Sequence, residues 1–391
     1  MLFLNTNLII KKINKNEFLP FIFLSIVFLS NTQTTVRSLM LLTVMFVINY
    51  KTILNIFDKN FLLLVIFILF YYIISIIDEE SKTAFAYSLF AMPVALYSGG
   101  KCLGLYVKDD NNLISYIFII SLLCGLPVII SVIQEIFNYG FFGNFRSLLY
   151  YNKVTLSATV AAGTLVPLVS FSSIIFTKTH LPKKIFIFFV YLLVILVALR
   201  LGSRTLILLG MISLFVGVFY NYNKQSLFKT FVVIIAVLIP IFLIYVKYSD
   251  KIDFTFYFLD RMNSDEFGVM TGGGRVVKWI ESLNLIITNP FGWKISLNGY
   301  SHNLWLDVAR NGGWISFIFS ILIFISYFQN LKKYLNHSSN QIFKTLNLSI
   351  TFCLVGLFCV EPIMDGFIYV FGFFCFFWGL LNSKCNYAND I

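Results

Sequence analysis

Long uncharged apolar runs recur along this chain and restrict it to one kind of fold. Two of them read FLLLVIFILFYYIISII (61–77) and IFIFFVYLLVILVAL (185–199). A helix of about 20 apolar residues crosses a hydrocarbon core of roughly 30 Å. Lipid offers no hydrogen-bond partner to an open strand edge, so the backbone that crosses it is almost wholly helical. The sequence therefore predicts an all-α, polytopic integral membrane protein.

The composition excludes several other classes of protein. Charged residues make up 12% of the chain, about half of the share usual in soluble domains. The formal net charge is +11, but the charges are spread over short loops and form no basic domain, so we expect no nucleic-acid partner. The cysteines lie in or beside apolar runs without a CxxC pair, which indicates neither a disulfide framework nor a zinc site. We expect no metal and no cofactor.

Hydropathy predicts about twelve transmembrane helices in a single domain that covers residues 1–391. The first span follows Lys11, Lys12 and Lys15 and lacks a small-x-small cleavage site, so we expect it to be retained. The first two spans are short, and their count is the least certain. The predicted spans are 18–31, 36–50, 61–77, 84–100, 113–136, 155–176, 185–201, 205–221, 228–246, 313–330, 342–360 and 366–382.

The distribution of lysines between loops predicts the orientation. Loops on one side carry lysines, whereas the other side carries Asp78-Glu79-Glu80 and the pair Glu361 and Asp365. Because cytoplasmic loops are enriched in Lys and Arg, both termini are predicted to be cytoplasmic. Residues 247–312 then form the one long loop, on the outer face.

Arginine and lysine divide unequally between the two faces. With this topology the sixteen basic residues of the cytoplasmic face are all lysines, and the thirteen of the outer face comprise six lysines and all seven arginines. A planar guanidinium binds phosphate or carboxylate in a bidentate manner, which an ammonium does not. We infer an anionic ligand at the outer face; the alternative is that the arginines reach lipid headgroups or pair with acidic residues. The arginines are Arg37, Arg146, Arg200, Arg204, Arg261, Arg275 and Arg310.

Arg200 and Arg204 lie in VALRLGSRTLILLG (197–210), a short turn between two apolar spans. Spaced four apart, they share one face if the helix continues through Gly202. Charges at the end of a span are costly unless they are paired or functional. Both are candidates for ligand binding, and the alternative is that both side chains reach the membrane interface.

The segment TGGGRVVKWIESLNLIITNPFGW (271–293) predicts a helix from Arg275 to about Thr288. Its apolar residues recur at helical spacing, which is typical of a helix that lies on a membrane surface. Backbone amides of Gly273 and Gly274, with the charge of Arg275, suit an anion-binding site. The alternative is a flexible hinge beside an exposed arginine.

The motif GYSHNLWLDVARNGGW (299–314) predicts a second helix, from His302 to about Arg310. Ser301 is the expected N-cap, and Gly312-Gly313 is expected to end or bend the helix. On this helix Asn303, Asp307 and Arg310 share one face. The first turn lowers the pKa of His302, and a neutral imidazole suits a general base, although a lone histidine is more often structural.

Glu361 and Asp365, in CVEPIMDG, are expected mainly to terminate helices. Binding of a sugar and pairing with an arginine remain open for both.

Taken together, these motifs resemble the O-antigen ligase/polymerase superfamily of bacterial inner membranes. The shared features are Ser-Arg-Thr at a span start (203–205), Gly-Arg before an amphipathic helix (274–275) and Ser-His-Asn-Leu-Trp-Leu (301–306) ahead of Gly-Gly. The resemblance covers residues from about 197 to 330. Earlier residues are similar only as a string of hydrophobic spans.

The resemblance implies a metal-independent glycosyltransferase that takes a glycan from undecaprenyl diphosphate at the periplasmic face. It implies that Arg204 and Arg275 contact the donor diphosphate. It further implies that His302 activates the acceptor hydroxyl or helps the diphosphate to leave. Around these catalytic candidates, the expected substrate-binding residues are Arg200, Asn303, Asp307, Arg310, Gly273 and Gly274.

The motifs are more similar to those of the O-antigen polymerases, which join lipid-linked repeat units, and the alternative is a ligase that transfers the chain to lipid A–core. A flippase is disfavoured because the sequence has no internal repeat and no mid-span charges. The expected partners are the undecaprenyl-diphosphate-linked oligosaccharide, membrane lipid, and a chain-length regulator and a flippase of the same pathway.

Overall fold

The protein is helical and carries several helices with the length and composition of membrane spans. A computed structural model describes residues 56–77, 85–139, 147–149, 155–221, 275–366 and 368–387. Within them, six helical segments are long and apolar enough to cross a membrane, and two shorter apolar helices cover Lys59–Ser75 and Arg204–Tyr220. The predicted helical membrane protein is therefore confirmed at this level.

The described residues form twelve helices and two short strands. In chain order the elements are α1 (Lys59–Ile77), α2 (Phe85–Tyr106), α3 (Asp110–Tyr139), β1 (Ser147–Leu149), β2 (Thr155–Ser157), α4 (Ala158–Ser170) continued by a 3₁₀ segment (Phe171–Phe176), α5 (Leu181–Arg200), α6 (Arg204–Tyr220), α7 (Arg275–Thr288), α8 (Ile295–Asn298), α9 (Leu304–His337), α10 (Gln341–Val360), α11 (Ile363–Gly366) and α12 (Ile368–Tyr387).

Each predicted span that falls in the described residues coincides with a helix. The predicted spans 18–31, 36–50 and 228–246 lie outside the described residues, as does the first part of the long loop, 247–274. The strands β1 and β2 depart from the all-helical prediction. They form a three-residue antiparallel ladder in which Ser147 pairs with Ser157, and this ladder lies between two helices, where the strands satisfy each other's backbone groups.

A buried group of serines fixes α6 and α10 against α4. The carbonyl oxygen of Ser170, where the α-helix gives way to the 3₁₀ segment, accepts hydrogen bonds from the hydroxyls of Ser213 at 3.0 Å and Ser349 at 2.9 Å. These two hydroxyls also bond to each other at 2.8 Å. The carbonyl group at the end of α4 is thus satisfied by neighbouring helices, as buried backbone groups in a membrane protein must be. These contacts set the positions of the helices that begin at Arg204 and end beside Glu361.

Helices α2 and α12 pack backbone to backbone through small residues. A Cβ atom on Gly100 would collide with the carbonyl oxygen of Phe376, and one on Gly379 would collide with the carbonyl oxygen of Tyr97. Glycines at a helix crossing let two backbones approach closely, which is a common means of packing between membrane helices. This contact forms the centre of the apolar core.

Two ion pairs, each with a buried lysine, lie near the C-terminal end of α12. Lys384 donates to Asp110 at 2.9 Å, and Tyr334 donates to the other oxygen of the same carboxylate at 2.8 Å. Lys101 forms an ion pair with Asp58. These charges are buried but paired, which is the condition under which membrane proteins tolerate them.

We predict that Gly100→Ala destabilises the protein, because the added methyl group meets a backbone carbonyl that cannot rotate away. The expected loss is about 1–3 kcal/mol, measured as a lower unfolding midpoint of the purified protein in detergent. Gly366→Ala is the matched control, since a Cβ atom there meets nothing within 4 Å. Equal midpoints for the two variants would contradict the close packing of α2 on α12.

Candidate functional site

Helix α7 has the predicted bounds, Arg275–Thr288, and turns its apolar side outward. Ile280 is 57% exposed and Ile287 is 73% exposed, whereas Ser282 is the buried residue of this helix. The polar side therefore packs onto the protein and the apolar side is left free to meet lipid. Its placement on the membrane surface stays a prediction, and it agrees with this exposure.

Hydrogen bonds attach the polar side of α7 to the loop that carries His302. Trp279 Nε1 donates to the carbonyl oxygen of Ser301 at 2.8 Å, and the hydroxyls of Ser282 and Ser301 lie 2.6 Å apart. Asn298 Nδ2 donates to Ser282 Oγ at 2.8 Å. The histidine loop is thereby fixed beside the helix that begins at Arg275.

The cap of α9 differs from the prediction. Asn303, not Ser301, is the N-cap, and its Oδ1 accepts hydrogen bonds from the backbone of Trp305 and Leu306 at 3.1 and 3.3 Å. The hydroxyl of Ser301 is engaged with Ser282 instead. His302 consequently precedes the helix rather than opening it.

His302 adopts a left-handed backbone conformation with φ of 54°. Among the described residues no other non-glycine residue has a positive φ. Such a conformation costs about 1–3 kcal/mol and persists only where surrounding contacts impose it. Strained residues of this kind cluster at functional sites.

The carboxylate of Asp307 supplies these contacts. Its Oδ1 accepts from the backbone N–H of Ser301 at 2.8 Å, and its Oδ2 accepts from the backbone N–H of Asn303 at 3.3 Å. The side chain of Asp307 is fully buried. Arg310 lies 3.9 Å away and donates to Asp365 at 2.8 Å. Asp307 and Arg310 therefore share a face that points into the protein, whereas Asn303 precedes the helix as its N-cap.

A second part of the site joins α6, α7 and the end of α10. Thr205 Oγ1 donates to Glu361 Oε1 at 3.2 Å, and Arg275 Nη2 donates to the same oxygen at 3.4 Å. Arg204 is the first residue of α6, next to Thr205. Arg275 acts electrostatically on both Arg204 and His302. Arg275 therefore lies near each of the other two predicted catalytic residues, which come from other parts of the chain.

The environment of His302 keeps its imidazole neutral. Burial, together with the positive charges of Arg275 and Lys278, lowers the pKa of His302 from 6.5 to about 4. The predicted cause was the end of a helix, whereas the structure attributes the shift to burial and two cations. Nδ1 is buried and has no hydrogen-bond partner among the described residues. A neutral imidazole beside two cationic side chains suits an anionic ligand.

Arg200 belongs to a different helix from Arg204. Helix α5 ends at Arg200, and Gly202 turns the chain with φ of 61° before Ser203 caps α6. The helix therefore does not continue, and the condition on which Arg200 and Arg204 would share a face is not met. Arg200 is buried and acts electrostatically with Glu135 of α3. The other two predicted ligand-binding residues, Gly273 and Gly274, lie outside the described residues.

Sequence reasoning underestimated Glu361, Asp365 and Lys278. Glu361 meets Arg275, and Asp365 meets Arg310, so the pairing that the sequence left open is observed for both. Lys278 stands one turn after Arg275 on the polar side of α7, and its Nζ lies 3.3 Å from where a Cβ atom of Gly299 would be. The spacing of Lys278 from Arg275 signals that they share a face, but no local pattern identifies the partners of the two carboxylates.

The turn that follows α7, residues 289–293, connects the site to the membrane helix α9. It inserts where α9 bends, and we call it the inserted turn. The helix bends at Gly313, with φ of 64° and ψ of −170°, as Gly312-Gly313 predicted. In a straight helix the N–H of Trp314 would bond to the carbonyl of Arg310. Here Trp314 N donates to Pro290 O at 2.8 Å and Arg310 O accepts from Trp293 N at 3.0 Å. The turn after α7 thus satisfies both groups that the bend exposes.

Comparison of the whole sequence with models of known protein families gives no match, and comparison with curated proteins gives none either. The resemblance to the O-antigen ligase/polymerase superfamily therefore stays a prediction, carried by the motifs and the site.

We predict that Gly313→Ala destabilises the protein by about 1–3 kcal/mol, because this backbone region is essentially restricted to glycine. An added Cβ atom would also lie 2.6 Å from the carbonyl oxygen of Pro290. The measurement is the free energy of unfolding of the purified variant in denaturant. A value equal to that of the unsubstituted protein would show that the inserted turn does not constrain the bend.

Proposed function

We propose that the protein is an O-antigen polymerase of the bacterial inner membrane. It transfers a growing glycan from undecaprenyl diphosphate onto the next lipid-linked repeat unit. The observation that supports this most directly is the convergence of Arg204, Arg275 and a neutral His302. The family resemblance independently implies a catalytic part for each of these residues.

The proposed reaction is a displacement at the anomeric carbon of the donor sugar. The acceptor hydroxyl forms a new C–O bond there, and the bond to the diphosphate oxygen breaks with its electron pair. The acceptor proton passes to His302 or to the departing diphosphate. Arg204 and Arg275 stabilise the charge that develops on the diphosphate, as preorganised donors do in a water-poor site.

Substrate binding itself would strengthen His302 as a base. In the free protein the cations Arg275 and Lys278 lower the pKa of His302. A bound diphosphate brings negative charge that offsets both cations, so the pKa rises toward its ordinary value. The histidine would then accept a proton most readily when the donor is in place.

The proposed topology follows the charge distribution. We assign about twelve spans, both termini in the cytoplasm, and residues 247–312 as a periplasmic loop that carries much of the site. The donor and acceptor are then lipid-linked oligosaccharides, and a chain-length regulator and a flippase of the same pathway are the expected protein partners. Labelling of a cysteine placed at exposed Lys294 by a membrane-impermeant reagent from the periplasm tests this assignment.

We predict that His302→Ala, Arg204→Ala and Arg275→Ala each reproduce the phenotype of a gene deletion at normal protein level. Loss of a positioned acid–base group costs about 10²–10⁴-fold in rate. Lipopolysaccharide gels provide the measurement, and the expected product carries a single repeat unit on the core. His180→Ala is the matched control, because this histidine is exposed and outside the site.

Two other results would redirect the assignment. Core without any O-antigen, together with long chains on the lipid carrier, would indicate a ligase. Full chain length in all three alanine variants would show that the site is wrongly assigned.

We predict an unusually acidic limb in the pH dependence of kcat/KM, measured with purified protein and a lipid-linked repeat unit. The imidazole is the proton acceptor only while neutral, and the pKa of His302 in the free protein is lowered to about 4. The acid limb that is due to protonation of His302 should therefore lie near pH 4 rather than near 6.5. Lys278→Gln removes one of the cations and should move this limb to higher pH.

Lys294→Gln is the control, since Lys294 is exposed and is not among the charges that shift His302. Burial and the nearby Asp365 raise the pKa of Asp307 to about 7, so the limb assigned to His302 is the one that Lys278→Gln moves. A limb near 6.5 that moves with Lys278→Gln would contradict the proposed environment of His302.

A further inference from the structure

We propose that Asp307 is a positioning residue that sets the direction of the His302 imidazole, and that it does not bind substrate. Its kinetic consequence rests on the proposed function, but its structural consequence does not. The sequence assigned Asp307 to substrate binding because it shares a helix face with Asn303 and Arg310. Full burial of its side chain and the partners of both its oxygens point to the other role.

The first step is the geometry of the loop. The backbone N–H groups of Ser301 and Asn303 flank His302 and converge on the two oxygens of one carboxylate. Alternate N–H groups can converge on an anion when the residue between them is left-handed, and His302 has φ of 54°. The carboxylate therefore occupies the concave side of the turn and fixes the backbone from which the imidazole projects.

The second step is that the carboxylate is itself held in place. Arg310 Nε lies 3.9 Å from Asp307 Oδ1, and Arg310 Nη2 donates to Asp365 at 2.8 Å. Asn311 Nδ2 donates to the other oxygen of Asp365 at 2.8 Å and to Tyr71 Oη at 2.9 Å. A chain of contacts thus runs from α1 through α9 to the turn around His302.

The third step is where the imidazole is placed. The other side of the loop is attached to α7 by the bonds of Trp279 and Ser282 to Ser301. With both sides fixed, the imidazole stays near Arg275 and Lys278, which act on it electrostatically. Removal of the carboxylate releases one side only, so the loop stays on α7 while the backbone at His302 leaves its strained conformation.

The kinetic test compares Asp307→Asn and Asp307→Leu with the unsubstituted protein, each purified in detergent and supplied with a lipid-linked repeat unit. Displacement of a reacting group by about 1 Å can lower the rate on the order of 10²-fold. We therefore expect kcat to fall about 10²-fold for Asp307→Leu while KM changes little, because Arg204 and Arg275 remain. Asp307→Asn keeps one acceptor oxygen and should lie between the two.

A second measurement reads the histidine directly, without catalysis. The chain has three histidines, so His180→Gln and His337→Gln leave His302 alone to react with diethyl pyrocarbonate. We expect its modification rate to rise several-fold with Asp307→Leu, as the half-buried ring gains freedom. If the leucine variant does not fold, the modification rate of His302 is measured in Asp307→Asn instead.

Asp110→Asn is the control for general loss of stability. It removes a partly exposed carboxylate that pairs with the buried Lys384 at the far end of α12, so it should lower the unfolding midpoint without altering kcat or the modification of His302. An unchanged modification rate in both Asp307 variants would overturn the positioning role. If His302→Ala keeps full activity while Asp307→Leu still exposes His302, the proposed function fails and the positioning role stands.

Discussion

The site depends on one opened turn of a membrane helix. Helices in lipid normally satisfy their own backbone groups, and a bend leaves some of them without partners. At Gly313 the inserted turn that follows α7 accepts from Trp314 and donates to the carbonyl of Arg310. Because that turn belongs to the segment that carries Arg275, the bend sets where the outer segment lies on the helix bundle. Gly292 allows this approach, since its Cβ atom would collide with the carbonyl oxygen of Arg310.

Two arginines of the site pair with carboxylates, and the two pairs differ in their exposure to solvent. Asp365 pairs with Arg310, which is 4% exposed and points into the protein. Glu361 contacts Arg275, whose side chain keeps 28% of its surface exposed. Buried pairs of the first kind fix geometry at a considerable cost in desolvation. A partly exposed arginine of the second kind can exchange its partner for an anionic ligand, because a bidentate phosphate contact compensates for the lost carboxylate.

The sequence predicted the helices and the residues of the site better than their roles. The bounds of α7 followed from the amphipathic spacing and from Asn289-Pro290, which are local signals. The cap of α9 did not follow from local signals, because Ser301 and Asn303 are both good caps. The hydroxyl of Ser301 is engaged by Ser282 of another helix, which leaves Asn303 as the cap. The partners of Glu361 and Asp365 also depend on tertiary packing. Arg200 and Arg204 would share a face on an unbroken helix. Gly202, which has a positive φ, breaks the helix between them.

The two sides of α7 then suit the two ends of a lipid-linked donor. On the proposed function, the donor has an apolar chain in the membrane and a diphosphate at its surface. Helix α7 turns Ile280, Leu283 and Ile287 outward, where they can meet acyl chains, and it turns Lys278 toward the loop of His302. Only the thickness of this helix then separates lipid from the site. A diphosphate could therefore reach the cations while its lipid chain stays in the membrane. If the proposed function holds, the amphipathic character of α7 serves the substrate as well as the fold.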